Sequence, residues 1–291
     1  MSHSLGLLFA GAAMFFWVIG DFLIQRGTRK FGDWATLFLI GFVGMIGIFP
    51  FVYGELAVAF ESFNLKLLLL LSVVTLFSAL FLFEGLKRGK LAVIEPVFGL
   101  ELPFTVGFSA VFGGENLAPA LYAFIALIFV GLLFTATRDI RHLRFNRTML
   151  EKGVVLAGIG SVGMGLMNFL TGYGSRTISP LLTIWFMHSF LAIICFFYLM
   201  YRGELRGLAR RVLDFPKTAL GLSVFDNLAW ISFAFAMSFI SISIATAISE
   251  SYIAFSVLLG IFVNHERIKA HQIVGIVAVA TGVVVLSFFA A

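Results

Sequence analysis

The sequence predicts an all-α integral membrane protein, with ten transmembrane helices arranged as two inverted five-helix repeats. Three observations carry that prediction. The 291-residue chain is 60% hydrophobic and only 12% charged, with a mean hydropathy of +1.05, whereas a soluble domain keeps roughly a quarter of its residues charged. The apolar residues gather into ten runs, each close to the ~20 residues a helix needs to cross the hydrocarbon core. Positions in the first five runs recur, in order, in the last five.

The ten runs are Leu5–Gln25, Trp34–Tyr53, Leu65–Leu86, Leu91–Phe112, Leu117–Thr137, Gly153–Gly174, Leu181–Tyr201, Thr218–Met237, Ile242–Val263 and Lys269–Phe289. They do not alternate with period two, which excludes a membrane β-barrel. Too little polar sequence is left over to cover a soluble helical bundle. The first run lacks a basic leader and a cleavage pattern, so it is expected to be retained. Connecting loops are short. The two longest, Arg138–Lys152 and Arg202–Lys217, are basic and are expected at the membrane interface. Cys195 is the one cysteine, so neither a disulfide framework nor a metal cluster is expected.

Charge sets the orientation. All but Lys66 and Arg176 of the 20 Lys and Arg fall in one alternate set of loops. Basic loops stay in the cytoplasm, which puts both termini outside, in a prokaryotic inner (plasma) membrane. The net charge of +5 therefore addresses anionic lipid rather than nucleic acid.

The repeat divides the chain into residues 1–137, a basic cytoplasmic linker 138–152, and residues 153–291. An offset of 147 aligns Asp21 with Asn168, Gly27 with Gly174, Arg29 with Arg176 and Thr36 with Thr183. After a short slip, Gly54-Glu55-Leu56 faces Gly203-Glu204-Leu205. An offset of 151 then aligns Leu71-Ser72-Val73 with Leu222-Ser223-Val224, Glu115 with Glu266 and Gly131 with Gly282. Loops that are basic in one half are poor in charge in the other, as an odd number of helices per half requires. Inverted repeats of this kind hold a substrate site near the bilayer midplane, between the halves.

These features resemble the ten-helix EamA-type transporters of the drug/metabolite transporter superfamily. The residues that carry the resemblance are Ala92–Leu117 with Gly131, and Ala245–Ile268 with Gly275 and Gly282. It spans essentially the whole chain and implies a carrier fold without naming a substrate. Two departures stand out. His265 replaces the glycine that usually precedes the exit glutamate, and Ser251-Tyr252 stands where the family's penultimate helix commonly has a proline.

Acids inside apolar runs are the candidates for chemistry, because an intramembrane charge costs about 3 to over 10 kcal/mol unless a cavity, a partner or a proton relieves it. Glu101, Glu250 and Asp226, with Asn227 beside it, fall near the middle of their runs. No Lys or Arg shares their depth, so these acids are protonated, hydrated in a cavity, or matched by a cationic ligand. Trp230 lies one turn from Asp226, and an acid beside an aromatic face is how an ammonium group is held. Trp17 is similarly deep. Asp21 is paired by the repeat with Asn168 and reads either as interfacial or as a cavity wall. His188 reads as a proton relay or as a helix-to-helix hydrogen-bonding group. Glu84, one turn from Lys87 and Arg88, is explained by an interfacial ion pair. Glu95, before Pro96 in the first turn of a helix, is explained by the helix dipole. The glycines at 158, 160, 163 and 165 are expected to permit close packing or bending.

No phosphate loop, HExxH or GxSxG motif is present, so no enzyme, catalytic residue, metal or cofactor is expected. The expected function is secondary active transport of a small organic metabolite by alternating access, coupled to protons. The excess of acids favours a solute with a cationic group, such as an amine, a quaternary amine or an amino acid. A passive channel, a lipid-translocating protein and an intramembrane enzyme remain the alternatives at this point. The sequence is silent on oligomeric state.

Overall fold

The computed structural model describes residues 2–115, 123, 127, 130–131, 134 and 152–290, with the backbone alone for residues 2, 254 and 283–290. Among these residues every regular element is helical. The long helices are α1 (Ser2–Phe31), α2 (Asp33–Val52) and α4 (Ser62–Arg88), with the short α3 (Leu56–Ala59) between the last two. The penultimate helix of the first half comes in two pieces, α5 (Leu91–Phe98) and α6 (Glu101–Gly113). The second half contains α7 (Val154–Thr177), α8 (Pro180–Tyr201), α9 (Leu205–Asp214), α10 (Pro216–Phe239), α11 (Ile242–Glu250), α12 (Tyr252–Phe262) and α13 (Ala270–Ala290). Eight helical stretches among the described residues are long and apolar enough to cross a membrane. The predicted span Leu117–Thr137 and the linker 138–152 lie outside the described residues, apart from five positions of the span and Lys152.

Two spans that the sequence predicts as continuous are broken midway. In the first, Pro96 cannot donate a helical hydrogen bond, and the chain tightens: Gly99 and Leu100 donate to the carbonyls of Pro96 and Val97 at 3.1 Å each. In the second no proline is needed. The Ser251 amide donates to Ile248 at 3.2 Å, while its hydroxyl bonds back to the Ala247 carbonyl at 3.2 Å, a contact that bends helices. Glu101 opens α6 and Glu250 closes α11, so both breaks carry an acid.

The residues that mark the repeat share structural tasks. An added Cβ on Gly174 would lie 2.9 Å from Thr183, so that glycine lets α7 turn tightly against α8, whereas one on Gly27 would lie 3.4 Å from Thr36 but only 2.5 Å from Leu222 of α10. Arg29 donates to the Gly89 carbonyl at 2.7 Å. Arg176 donates to the Ile240 carbonyl at 2.7 Å, so each arginine neutralises the C-terminal end of a neighbouring span. Leu56 and Leu205 each begin a short helix after the second span of their half. The halves are interleaved: α1 lies along α10, α7 along α4, and α2 along α8.

Small residues permit this closeness. A Cβ on Gly163 would lie 2.1 Å from the Ser78 hydroxyl, and one on Gly165 would lie 2.5 Å from Phe104. Gly160 meets Leu82 and the Ser78 carbonyl, whereas Gly158 makes only ordinary contacts. The outward face is apolar, with Phe15, Phe51, Phe77, Phe197 and Leu220 more than half exposed, as a surface bathed in lipid tails requires.

Candidate functional site

Where α1, α4, α7, α8 and α10 meet the two helix breaks they leave a central cavity. It is lined by Trp17, Asp21, Glu101, Asn168, His188, Asp226, Trp230 and Glu250, with Tyr252, Thr75 and Met187 among the other walls. Its volume is about 60 Å³, space for a few waters at the roughly 10–15 Å³ that each requires. A solute of any size needs the halves to part.

Four carboxyl groups converge here. Asp21 comes from α1, Asp226 from α10, and Glu101 and Glu250 from the breaks. All are buried, and among the described residues no Lys or Arg lines the cavity. One oxygen of Glu250 has no hydrogen-bond partner among the described residues. Asn168 stands beside Glu101 and donates to the Thr105 hydroxyl at 3.4 Å, and its own carbonyl oxygen has no partner among the described residues. Thr105 in turn donates to the Glu101 carbonyl at 2.8 Å. These unfilled hydrogen bonds are costly in a dry interior and favourable toward water or a polar ligand.

One wall is aromatic. The rings of Trp17 and Trp230 meet edge to face with centroids 5.0 Å apart, Phe233 lies 5.0 Å from Trp17, and Tyr252 lies 5.9 Å from it. The Trp230 indole stands beside the Asp226 carboxyl. Aromatic faces joined to uncompensated carboxyls form the surroundings that favour an organic cation over an anion.

Asn227 takes a different place. Adjacent helical residues point about 100° apart, so with Asp226 in the cavity Asn227 turns toward α2. Its amide donates to the Ile40 and Ser223 carbonyls at 3.0 and 2.8 Å. Glu84 pairs with Lys87 at 2.8 Å and with Arg88, away from the cavity. Trp34 stacks on Tyr198 at 3.8 Å. Glu95, which the sequence assigns to the helix dipole, is fully buried beside Tyr252, and among the described residues neither of its carboxyl oxygens has a full hydrogen bond. Tyr252 was not anticipated as a site residue. Its departure from the proline pattern was the one sequence signal at that position.

The exit glutamates have a definite task. Glu266 accepts from the Leu91 and Ala92 amides at 2.9 and 2.8 Å, capping α5. Glu115 accepts from the Ile242 and Ser243 amides at 2.8 and 3.2 Å, and from the Ser243 hydroxyl at 2.5 Å, capping α11. Each half thus holds the start of the other half's broken helix, and so fixes where Glu101 and Glu250 stand. The turn before each glutamate is left-handed, with φ of 69° at Gly114 and 53° at His265.

Comparison with known proteins agrees with this geometry. The sequence profile of the EamA-like transporter family matches residues 4–137 and again residues 151–288. No curated protein shows a significant sequence match. A solved crystal structure, described only as that of a protein, superposes with a TM-score of 0.65 at 16% identity, covering 99% of this chain and 98% of its own. At that identity the likeness concerns the fold alone.

Proposed function

Because this chain belongs to the EamA-like transporter family of the drug/metabolite transporter superfamily, we propose that it is a secondary carrier. It moves a small organic solute bearing a positive group across a prokaryotic inner membrane by alternating access, in exchange for protons. The observation that supports this reading best is the central cavity. Four buried acids and two tryptophans line it, and no Lys or Arg does among the described residues. A cationic solute and protons compete for the same carboxyls, and competition for one set of sites is the simplest way to exchange one for the other. The basic loops face the cytoplasm and both termini face outward.

In the closed state the cavity is too small for a metabolite, so loading requires one end of the bundle to open. The caps at Glu266 and Glu115 lie at the starts of the two broken helices, and releasing one while keeping the other gives two alternative openings.

The test is flux into reconstituted vesicles. With an inside-acid pH gradient, radiolabelled choline, phenylalanine and ethidium serve as probes. Saturable uptake of at least one, lost tenfold or more in Asp226→Asn and Glu101→Gln variants that melt normally, supports the reading. Saturable flux that ignores both substitutions and the pH gradient refutes proton coupling. Flux that does not saturate assigns the protein to the channels instead.

A further inference from the structure

We propose that Glu95 is a proton relay between the basic-loop face of the membrane and the central cavity, separate from the groups that hold solute. The inference rests on the carrier reading above. Glu95 lies one helical turn inside Leu91 and Ala92, whose amides Glu266 caps, and so about 6 Å deeper at the 1.5 Å rise of a helix. It does not line the cavity. Between it and the cavity stands Tyr252, which borders both Glu95 and Asp21 and lines the cavity itself.

A polar cluster would mean little without a further observation, and Glu95 supplies one. Its side chain is wholly buried, and among the described residues neither carboxyl oxygen has a full hydrogen bond, although the Tyr252 hydroxyl stands close by. A structural carboxylate in a helix's first turn would be capped, paired or bonded. Leaving two such oxygens empty costs stability, and the native fold carries that cost. The titratable groups facing Glu95 are Glu266 from the exit turn, Asp21 from α1, Glu250 from α11 and Tyr252 from α12, with Glu101 of α6 also close enough to sense its charge. Glu95 thus has Glu266 on its exit-turn side and the cavity-lining Asp21, Glu101 and Glu250 among its other neighbours.

The step is a proton transfer and balances simply. Water entering past Glu266 gives a proton to the Glu95 carboxylate. When Asp21 is ionised, the Tyr252 hydroxyl closes the short gap to Glu95, gives its proton to Asp21 and takes the one on Glu95, leaving the phenol unchanged. Release of the cationic solute leaves the Asp21 carboxylate uncompensated and draws the proton inward.

Vesicles carrying wild-type, Glu95→Gln or Tyr252→Phe protein provide the test, with the same three radiolabelled or fluorescent probes. Solute exchange at equal pH moves no net protons. It is expected to stay within about twofold in Glu95→Gln, while accumulation driven by a pH gradient falls at least tenfold. Loss of exchange together with accumulation overturns the relay and makes Glu95 part of the solute site or the fold. Full accumulation in Glu95→Gln overturns it directly and leaves the carrier reading intact. A wild-type protein whose flux ignores the pH gradient overturns the coupling itself, and the relay with it. Infrared difference spectra between acid and neutral pH need no solute. Glu95→Gln is expected to remove one protonated-carboxyl band, and an unchanged spectrum refutes the proposal.

Discussion

Gly44 shows how tightly the cavity's surroundings are drawn. A Cβ there would lie 2.2 Å from the Asn227 carbonyl oxygen and 2.6 Å from the His188 ring nitrogen Nδ1, two atoms without a hydrogen-bond partner among the described residues. The absence of a side chain lets α2 approach α8 and α10 closely enough for Asn227 to reach the Ile40 carbonyl. Gly44→Ala should therefore cost about 1–3 kcal/mol of stability, the usual penalty of overpacking, and lower the melting temperature in detergent. Gly47→Ala, with open space around it, should leave melting unchanged and serves as the control. The acids were legible individually, because a carboxyl in an apolar run has no cheap explanation. The destination of Asn227 was not legible, since which way a helix face points is decided by its neighbours.

The two exit turns are the same element written with different residues. At Gly114 the left-handed turn is free of strain, whereas His265 adopts it at a cost of about 1–2 kcal/mol for a residue with a Cβ. Gly114→Ala should accordingly destabilise the protein by about that amount, while His265→Gly should raise melting slightly or leave it unchanged, because strain relief is offset by the freer unfolded chain. The caps that follow are open to a parallel test. Removing a capping side chain costs about 0.5–2 kcal/mol, so Glu115→Ala and Glu266→Ala should each lower stability by a similar increment, read from thermal melts. The replacement of the family's proline by Ser251-Tyr252 was visible in the sequence as a departure. That it still produces a break, and places Tyr252 between Glu95 and the cavity, was not.

At the level of the whole bundle, each half holds the other. α1 lies along α10 and α7 along α4, and each exit carboxylate caps a helix of the opposite half. The amphipathic α9, with Arg206, Arg210 and Arg211 on a helix that buries only Leu208, adds a basic surface at one end. If the basic loops face the cytoplasm, protease added to spheroplasts should remove a tag fused to the C-terminus, and a tag cleaved only after lysis would reverse the orientation.

Composition and run length by themselves determined that this chain lives in lipid, since a chain only 12% charged has no polar coat to wear in water. Recurrence of Asp21 as Asn168, Arg29 as Arg176 and Glu115 as Glu266 displayed the repeat, because residues with the same structural task were kept in the same order. Only the tertiary structure decided what those tasks are. The breaks at Gly99–Leu100 and Ser251 depend on local hydrogen bonds that hydropathy does not register, and the reciprocal capping spans 127 and 175 residues of chain. The meeting of Asp21, Glu101, Asp226 and Glu250 in one cavity likewise arises from helix rotation, which is fixed by side chains packing across helices rather than by spacing along any one of them.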